Sequence, residues 1–481
     1  MALDVLPWKR AIIENVTPQV DGGRFAAKSV VGDAVVVEAD AFTDGHDRMR
    51  VRLTWHYEDG DNGSRGSDGR GAVDAGEVEM TALGNDRWRA AFTVSRLGRY
   101  RYGVMAWVDA FHTWRHDFNR REDPADIAVA LQSGAQLIRE AAARASVDDA
   151  ERLKVLAARL APDGDRHASG GEGRGAPGDE RASDFEGRRE LARSEELGAL
   201  MDRYPDLRQV ARLEQELTIV VEPVRARYGA WYEFFPRSAA AEPGRHGTFA
   251  DCIAWLPRIA AMGFDIVYFP PIHPIGRVRR KGPNNTLTPG PDDPGSPWAI
   301  GADEGGHRAI HRELGTEADF RELVRKAGDL GLDIALDIAF QCAPDHPYVK
   351  DHPDWFRWRP DGTVQYAENP PKKYQDIYPF EFENADWKAL FEELKGVVMH
   401  WIDCGVTVFR VDNPHTKPFA MWEWLITEVR RTHPEAIFLS EAFTRPRVMH
   451  RLAKLGFSQS YTYFTWRNTR AELTEYLTEL H

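Results

Sequence analysis

Acidic side chains stand at the ends of two apolar segments in the C-terminal half of the chain. The segment GVTVFRVDNP carries Arg410, Asp412 and Asn413, and the later segment AIFLSEAF carries Glu441. Alternate residues of a strand share one face, so Arg410 lies beside Asp412 and favours its ionised form. Two carboxyl groups about 5 Å apart suit the nucleophile and the acid/base of retaining acetal chemistry. Carboxylates at strand ends also cap helices, and the pattern alone leaves that structural alternative open.

Both segments belong to a repeated alternation of strands and helices that starts at about residue 217. Continuous apolar strands such as FDIVYF and LDIALDIAF alternate with helical patterns such as DWKALFEELKGVVMHWID. This alternation indicates a buried parallel sheet with its working residues at the carboxyl ends of the strands. We count six strand–helix units, whereas a closed (β/α)8 TIM barrel has eight. The sequence therefore predicts an incomplete barrel over 217–481, and we expect a truncated chain that is poorly soluble or inactive by itself.

The N-terminal part of the chain has two other patterns. Short segments rich in Val, Thr, Tyr, Phe and Trp predict a β-sandwich over 1–119, with FHTWRHDF as its last strand. Helical periodicity predicts a helical module over 120–216, which includes helices at ELARSEELGALMDRY and DLRQVARLEQE. Gly-rich stretches predict a hairpin tip at 59–71 and a flexible loop near 163–184. The module is a spacer or a dimerisation element, and the sequence leaves both open.

Composition limits the class of protein and its compartment. Hydrophobic residues make up 42% of the 481 residues and the net charge is −13, which is typical of a globular chain and disfavours binding to nucleic acid. Three distant cysteines and no recognisable signal or spanning segment predict a cytoplasmic protein away from the membrane. Because no cluster has metal-binding spacing and no nucleotide-binding glycine motif follows a strand, we expect neither a metal nor a cofactor.

Several blocks of the sequence point to a known family. They are PPIHPIG, LDIALDIAFQCAPDHP, AENPPKKYQDIYP, FRVDNPHTKP and LSEAF. They resemble the conserved blocks of the α-amylase superfamily, glycoside hydrolase family 13, and within it those of the α-1,4-glucan:maltose-1-phosphate maltosyltransferases. The resemblance implies retaining transfer of maltosyl units from α-maltose 1-phosphate to the non-reducing end of an α-1,4-glucan, with release of phosphate. It also implies a homodimer that works in glycogen-type α-glucan synthesis.

The resemblance implies catalytic roles for residues at the strand ends. Asp412 would attack the anomeric carbon, and Arg410 would orient it. Glu441 would protonate the departing phosphate and then deprotonate the acceptor hydroxyl. Asp337 stands at the superfamily's third-strand aspartate, which is mainly structural. The superfamily's third catalytic carboxylate follows the seventh strand, and no such block occurs before His481.

A second set of residues is implied to bind the donor. Its members are Lys281, Gln341, Asn369, Lys372, Tyr374 and Asn413. An ammonium and neutral donors suit a phosphate dianion that must bind and then leave. Gln341 and Cys342 replace the Asn-His pair of ordinary amylases, which favours a transferase over a hydrolase, and Trp298 is a candidate to stack on sugar. The structural alternative is that the lysines at 281 and 372 belong to solvated surface charge.

Two rival functions remain open on the sequence. An amylase-type hydrolase would make reducing sugar from starch without releasing phosphate. A non-catalytic glucan-binding fragment would bind glucan without turnover. Phosphate release that depends on an acceptor glucan distinguishes the maltosyltransferase from both.

Overall fold

The computed structural model describes residues 8–58, 74–161 and 178–480 of a multidomain chain that combines β-sheets with helices. The hairpin tip predicted at 59–71 lies outside the described residues, as do residues 163–177 of the predicted flexible loop. The end of that loop needs correction, because a helix already begins at Gly178. None of the described helices is long and apolar enough to cross a membrane.

The N-terminal region consists of strands that form two sheets. The strands are β1 (Ile12–Thr17), β2 (Ala27–Val30), β3 (Ala34–Phe42), β4 (Met49–Tyr57), β5 (Ala75–Glu79), β6 (Thr81–Gly84), β7 (Arg87–Thr93) and β8 (Gly98–Val108). One sheet has the order β1-β3-β7-β6, and β8, β4 and β5 are neighbours in the other. Alternate residues of β3, including Val37 and Ala39, are buried and share a core with Leu53 of β4 and Tyr102 of β8. The two sheets therefore pack face to face, as period-two burial requires.

Helices follow the first eight strands. They are α1 (Ala110–Phe118), α2 (Pro124–Ala142), α3 (Val147–Leu160), α4 (Gly178–Arg193) and α5 (Glu195–Asp202). Side chains cap several N-termini: Ser146 accepts a hydrogen bond from Asp149 N, and Ser194 accepts one from Leu197 N. Apolar residues at helical spacing, such as Leu153 of α3 and Leu197 of α5, form a separate core for this module.

Two segments next to this module differ from the sequence prediction. FHTWRHDF is helix α1 and not a strand, because its aromatic residues Phe111, Trp114 and Phe118 recur at helical spacing and Asp109 caps it through His112 N. DLRQVARLEQE is not helical. It contains β9 (Ala211–Arg212), which pairs with β8, so pairing with a distant strand overrides its helical pattern.

The boundary predicted at residue 217 also needs correction. Strand β10 (Leu217–Glu222) pairs antiparallel with β8 and parallel with β2. Its buried residues, including Ile219 and Val221, belong to the core of the N-terminal sheets. The chain therefore returns to the N-terminal sheets after the helices, and the parallel sheet starts only afterwards.

From Trp231 onward strands and helices alternate. The strands are β11 (Trp231–Glu233), β12 (Ile266–Phe269), β13 (Asp333–Ile338), β14 (Gln341–Cys342), β15 (Ala367–Asn369), β16 (Lys372–Tyr374), β17 (Tyr378–Pro379), β18 (Val408–Asp412), β19 (Ile437–Glu441) and β20 (Gln459–Ser460), and the helices are α6 (Phe249–Ala261), α7 (Glu317–Asp329), α8 (Pro347–Asp351), α9 (Trp387–Asp403), α10 (Phe419–Thr432), α11 (Pro446–Lys454) and α12 (Arg470–Leu480). Among the described residues, β11, β12, β13, β18, β19 and β20 form one parallel sheet in that order. Most apolar side chains of these strands are buried: those on one face, such as Val267 and Phe409, share a core with the helices, and those on the other face, such as Ile266 and Val408, form a separate cluster.

A buried ionic contact joins the N-terminal sheets to the parallel sheet. Arg430 of α10 donates to Glu222 of β10 at 2.5 Å and to Ser458 Oγ at 2.7 Å. Ser458 in turn donates to Glu222 at 2.8 Å. Lys28 of β2 donates to the carbonyl of Phe457, in the segment that leads into β20. The last strand of the parallel sheet is thus held to β2 and β10.

Candidate active site

The carboxyl ends of β13, β18 and β19 bring three carboxyl groups around one guanidinium. Arg410 Nη1 donates to Asp337 Oδ2 and to Asp412 Oδ1, each at 2.8 Å. Its Nη2 lies 3.6 Å from Glu441 Oε2. The register explains this geometry, because Arg410 is opposite Asp337 and Asp412 is opposite Glu441. Neighbouring strands are about 4.8 Å apart, so side chains on one face at matched positions come into contact.

Glu441 has the properties of a proton donor. Burial raises the pKa of Glu441 above its ordinary value, and the Arg410 guanidinium limits the increase. Its Oε2 accepts a hydrogen bond from Asn413 N at 3.2 Å, and that residue has a left-handed backbone with φ 45°. A carboxyl group that keeps its proton to higher pH suits a general acid.

Asp337 contacts Arg410 and fixes the position of its guanidinium. Its side chain is buried, and Oδ2 accepts hydrogen bonds from Arg410 and, at 2.5 Å, from the hydroxyl of Tyr268. Burial raises the pKa of Asp337, while the facing carboxylates raise the pKa of Arg410. A guanidinium keeps its proton and donates directly to this carboxylate, so the two form an ion pair. Asp337 therefore positions the arginine, in line with the structural role that the resemblance implies.

A cavity of about 1500 Å³ lies over these strand ends. Its lining includes all six predicted donor-binding residues, Lys281, Gln341, Asn369, Lys372, Tyr374 and Asn413. Asp412 lines the same cavity, and its hydrogen bond from Arg410 ties it to the group described above. The structure thus brings together residues that lie as far apart in the chain as 281 and 413.

The two predicted lysines differ in their surroundings. Lys281 is only 6% exposed and donates from Nζ to Gln375 Oε1, so it is not part of a solvated charge run. Lys372 is exposed and lies on the hairpin of β15 and β16, directly opposite Asn369. Both lysines face the cavity, but only the second is also exposed enough for the solvated alternative.

Gln341 forms a hydrogen bond with the loop that contains Trp298, which comes earlier in the chain and forms part of the cavity wall. Its Nε2 donates to the carbonyl of Trp298 at 3.1 Å. The Trp298 ring lies edge-on to Phe235 at 6.2 Å, and both side chains line the cavity. An aromatic wall of this kind offers flat apolar area to the faces of sugar rings.

The sequence interpretation missed cationic residues of the same cavity. Lys417 donates from Nζ to the carbonyls of Asp412 and Asn413, each at 3.2 Å. Arg237, in the short helical turn Pro236–Ser238 that follows β11, also lines the cavity, and burial lowers its pKa. The only signal for Lys417 was its place five residues after Asp412 in the same block, and Arg237 had none.

A buried group of two histidines and a cysteine lies near the site but does not resemble a metal centre. His307, Cys342 and His346 bring their potential ligand atoms within 4.8 Å of one another. Tyr348 N donates to His346 Nδ1, His346 Nε2 lies 3.1 Å from His307 Nδ1, and His307 Nε2 lies 3.0 Å from the carbonyl of Ala339. Burial lowers the pKa of each histidine to about 3. All four ring nitrogens of this neutral pair therefore already have hydrogen-bond partners.

Comparisons with known proteins show which family this chain resembles in sequence. Residues 9–223 match the family model described as "Alpha-1,4-glucan:maltose-1-phosphate maltosyltransferase, domain N/S", a range that ends just after β10. Proteins named alpha-1,4-glucan:maltose-1-phosphate maltosyltransferase from Chlorobaculum tepidum and Cereibacter sphaeroides are 49% and 47% identical, each over 98% of this chain, which covers 66% and 74% of their lengths. The chain thus spans about two thirds of the first relative. Among solved structures, an alpha-amylase from Lactobacillus plantarum is 26% identical, with a TM-score of 0.42 over 53% of this chain and 60% of that one.

Proposed function

The chain belongs to the α-1,4-glucan:maltose-1-phosphate maltosyltransferase family, and from this premise we propose that its site transfers maltosyl units with retention. The donor is α-maltose 1-phosphate and the acceptor is the non-reducing end of an α-1,4-glucan. The observation that carries the proposal is the pairing of Asp412 with Glu441 at the ends of adjacent strands, with Arg410 between their carboxyl groups. Close carboxyl groups of this kind suit a two-step retaining reaction.

In the first step Asp412 attacks the anomeric carbon of the donor. A bond forms between its carboxylate oxygen and that carbon as the bond to the phosphate oxygen breaks. Glu441 gives its proton to the departing phosphate, and Arg410 keeps the attacking carboxylate in place. In the second step the 4-hydroxyl of the acceptor loses its proton to Glu441 and attacks the same carbon. The ester to Asp412 breaks, and two inversions give net retention.

The cavity residues form two sets, one that binds the phosphate of the donor and one that binds its sugar rings. Asn369, Lys372 and Tyr374 lie on one hairpin, and with Asn413 they offer one ammonium and neutral donors to the phosphate. Lys281 and Gln341 belong to the wall that also contains the aromatic ring at residue 298, which suits the sugar rings.

The remaining assignments follow from the family. The six parallel strands are part of a (β/α)8 barrel, and the N-terminal sheets and helices are its accessory domains. The working protein is a cytoplasmic homodimer in glycogen-type α-glucan synthesis, and its helical module is either a dimerisation element or a spacer. Size measurement in solution tests the homodimer, which a monomeric protein would contradict.

Incubation with α-maltose 1-phosphate and short maltooligosaccharides tests the function. Free phosphate and product lengths are followed for the 481-residue chain and for the complete reading frame that encodes it. Growth by two glucose units with matching phosphate release is expected from the complete reading frame. Reducing sugar from starch without phosphate would instead support the hydrolase. Glucan binding that survives Asp412→Ala, with no turnover, would support the non-catalytic alternative.

A further inference from the structure

Lys417 is a cation of the site with no role in the reaction described so far. It comes directly after the short helical turn Pro414–Thr416, which follows β18. Its side chain is partly buried and lines the cavity. Both of its hydrogen bonds described above go to main-chain carbonyls, those of Asp412 and Asn413, so its position is set by the backbone next to the nucleophile.

Within the described part of the chain, the charged and titratable groups that act on Lys417 come from three strands and from its own turn. They are Asp337 on β13, Arg410 and Asp412 on β18, His415 in the turn, and Glu441 on β19. Burial lowers the pKa of Lys417, and the three carboxyl groups oppose that shift. Burial and Lys417 itself both lower the pKa of His415, so this histidine adds no positive charge at neutral pH. Three acidic groups therefore face two cations.

We propose that Lys417 is the second fixed cation of the catalytic cluster and makes the cluster electrically neutral both before and after the first step. Lys417 is a positioning residue, because it acts through Asp412 and Glu441 rather than on the donor. The inference rests on the proposed maltosyl transfer and deepens it. Its basis is the placement of Lys417 by two hydrogen bonds at the end of β18, within the field of all three acids.

The charges balance before and after the first step. Before it, Asp337 and Asp412 are ionised and Glu441 is protonated, so two negative charges face Arg410 and Lys417. During the step Asp412 becomes an uncharged ester and Glu441 loses its proton to the phosphate. Two negative charges, now on Asp337 and Glu441, again face two positive ones. The negative charge that Asp412 loses when its ester forms thus reappears on Glu441 when that residue gives up its proton, and the net charge of the cluster stays the same.

Without Lys417 the same cluster carries one uncompensated negative charge in both states. An unpaired charge in a partly buried site is costly, because the low local dielectric strengthens every repulsion. The effect on Glu441 has a defined sign. Lys417 lowers the pKa of this carboxyl, so its removal lets burial raise that pKa further. A more tightly held proton is transferred less readily to the leaving phosphate.

Variants at positions 416 and 417 test the proposal in the complete protein. Lys417→Met removes the charge and keeps a side chain of similar length. Lys417→Gln removes the charge and keeps a hydrogen-bond donor, and Lys417→Arg keeps the charge. Thr416→Val is the matched control, because it removes the 2.8 Å hydrogen bond from Thr416 Oγ1 to the carbonyl of Asn413 without a change of charge. The readout is the pH profile of kcat for phosphate release.

Lys417→Met and Lys417→Gln are expected to move the alkaline limb of the profile to higher pH. They are also expected to lower the maximum of kcat about tenfold, equal to about 1.4 kcal/mol in the barrier. For Lys417→Arg and Thr416→Val, the alkaline limb of the pH profile is expected at the same pH as in the parent protein. An unmoved limb in both uncharged variants overturns the proposal. An equal shift in Thr416→Val also overturns it, because the shape of the turn would then explain the effect.

A second measurement separates this inference from the proposed function. The melting temperature is recorded against pH for the parent protein and for Lys417→Gln. If the pKa of Glu441 is higher in Lys417→Gln than in the parent protein, the loss of stability with increasing pH continues to a higher pH in this variant. This effect does not depend on turnover. Parallel curves for the two proteins count against the charge role. Absence of maltosyl transfer by the parent protein, with the curves still different, rejects the proposed function alone.

Discussion

Asp412 and Glu441 are the last residues of β18 and β19 and lie directly opposite each other in the parallel register. Adjacent strands are about 4.8 Å apart, which is close to the separation of carboxyl groups in retaining enzymes. Both side chains contact Arg410, so one guanidinium fixes the Asp412 carboxylate and limits the rise in the pKa of Glu441. This pairing leads to the first three predictions below.

The nucleophile is tested by Asp412→Asn. The amide cannot attack the anomeric carbon, so phosphate release should fall at least about a thousandfold, equal to about 4 kcal/mol in the barrier. Rapid-quench measurement of phosphate checks the first step by itself. Asp361→Asn, in an exposed turn where the carboxylate accepts a hydrogen bond from Thr363 N, is the control and should keep the parent rate. A first step of normal speed in Asp412→Asn would show that another group attacks.

The acid is tested by the pH profile of the donor reaction. Because burial raises the pKa of Glu441, the protonated form persists above the ordinary range and phosphate release should decline only as the pH rises through the raised value. The linked stability has the same sign: it is present below the ordinary pKa and is lost as pH rises through the raised one.

Glu441→Gln separates protonation from binding. This variant should lose the alkaline limb and most activity with α-maltose 1-phosphate. It should keep the first step with α-maltosyl fluoride, since fluoride departs with little help from an acid. Equal losses with the two donors would argue that the residue orients the substrate and does not transfer a proton.

Neighbouring lysines give a matched test of phosphate binding. Lys372 lines the cavity opposite Asn369, whereas Lys373 is its exposed neighbour on the same hairpin strand. Lys372→Ala should raise KM for the sugar phosphate about tenfold or more and weaken inhibition by inorganic phosphate by a similar factor, because it removes a charge-assisted hydrogen bond. Lys373→Ala should change both values less than about twofold. Similar effects of the two variants would mean that a general positive field, not a specific contact, attracts the donor.

The junction between the N-terminal sheets and the parallel sheet is tested by two adjacent arginines. Arg430→Met leaves the buried Glu222 without its ion pair and should lower the free energy of unfolding by about 3–5 kcal/mol. Arg431→Met removes an exposed pair with Glu428 and should cost less than about 1 kcal/mol. Denaturant unfolding measures both. Adding Glu222→Gln to the first variant should recover part of the loss, because it removes the unpaired charge.

Some of this protein follows from local patterns of its sequence. The strands that carry Arg410, Asp412 and Glu441 were predicted because continuous apolar runs end in polar residues, a signal that lies within a few neighbouring positions. The cavity lining around Asn369 and Lys372 followed from resemblance to a family. Residue propensity was misleading at α1, where aromatic residues that favour strands occur at helical spacing.

Other features exist only because distant segments meet. Strand β10 has an ordinary apolar pattern, and only its partners β2 and β8 show that it belongs to the N-terminal sheets. Nothing in the sequence around Lys417 distinguishes it from a surface lysine, and only the packing of β13, β18 and β19 places three acidic residues around it. The sequence by itself determined which residue types stand at the strand ends, since side-chain direction and burial repeat locally. The tertiary structure decided which of them face one another, since the register, the dielectric and the neighbouring charges depend on residues far apart in the chain.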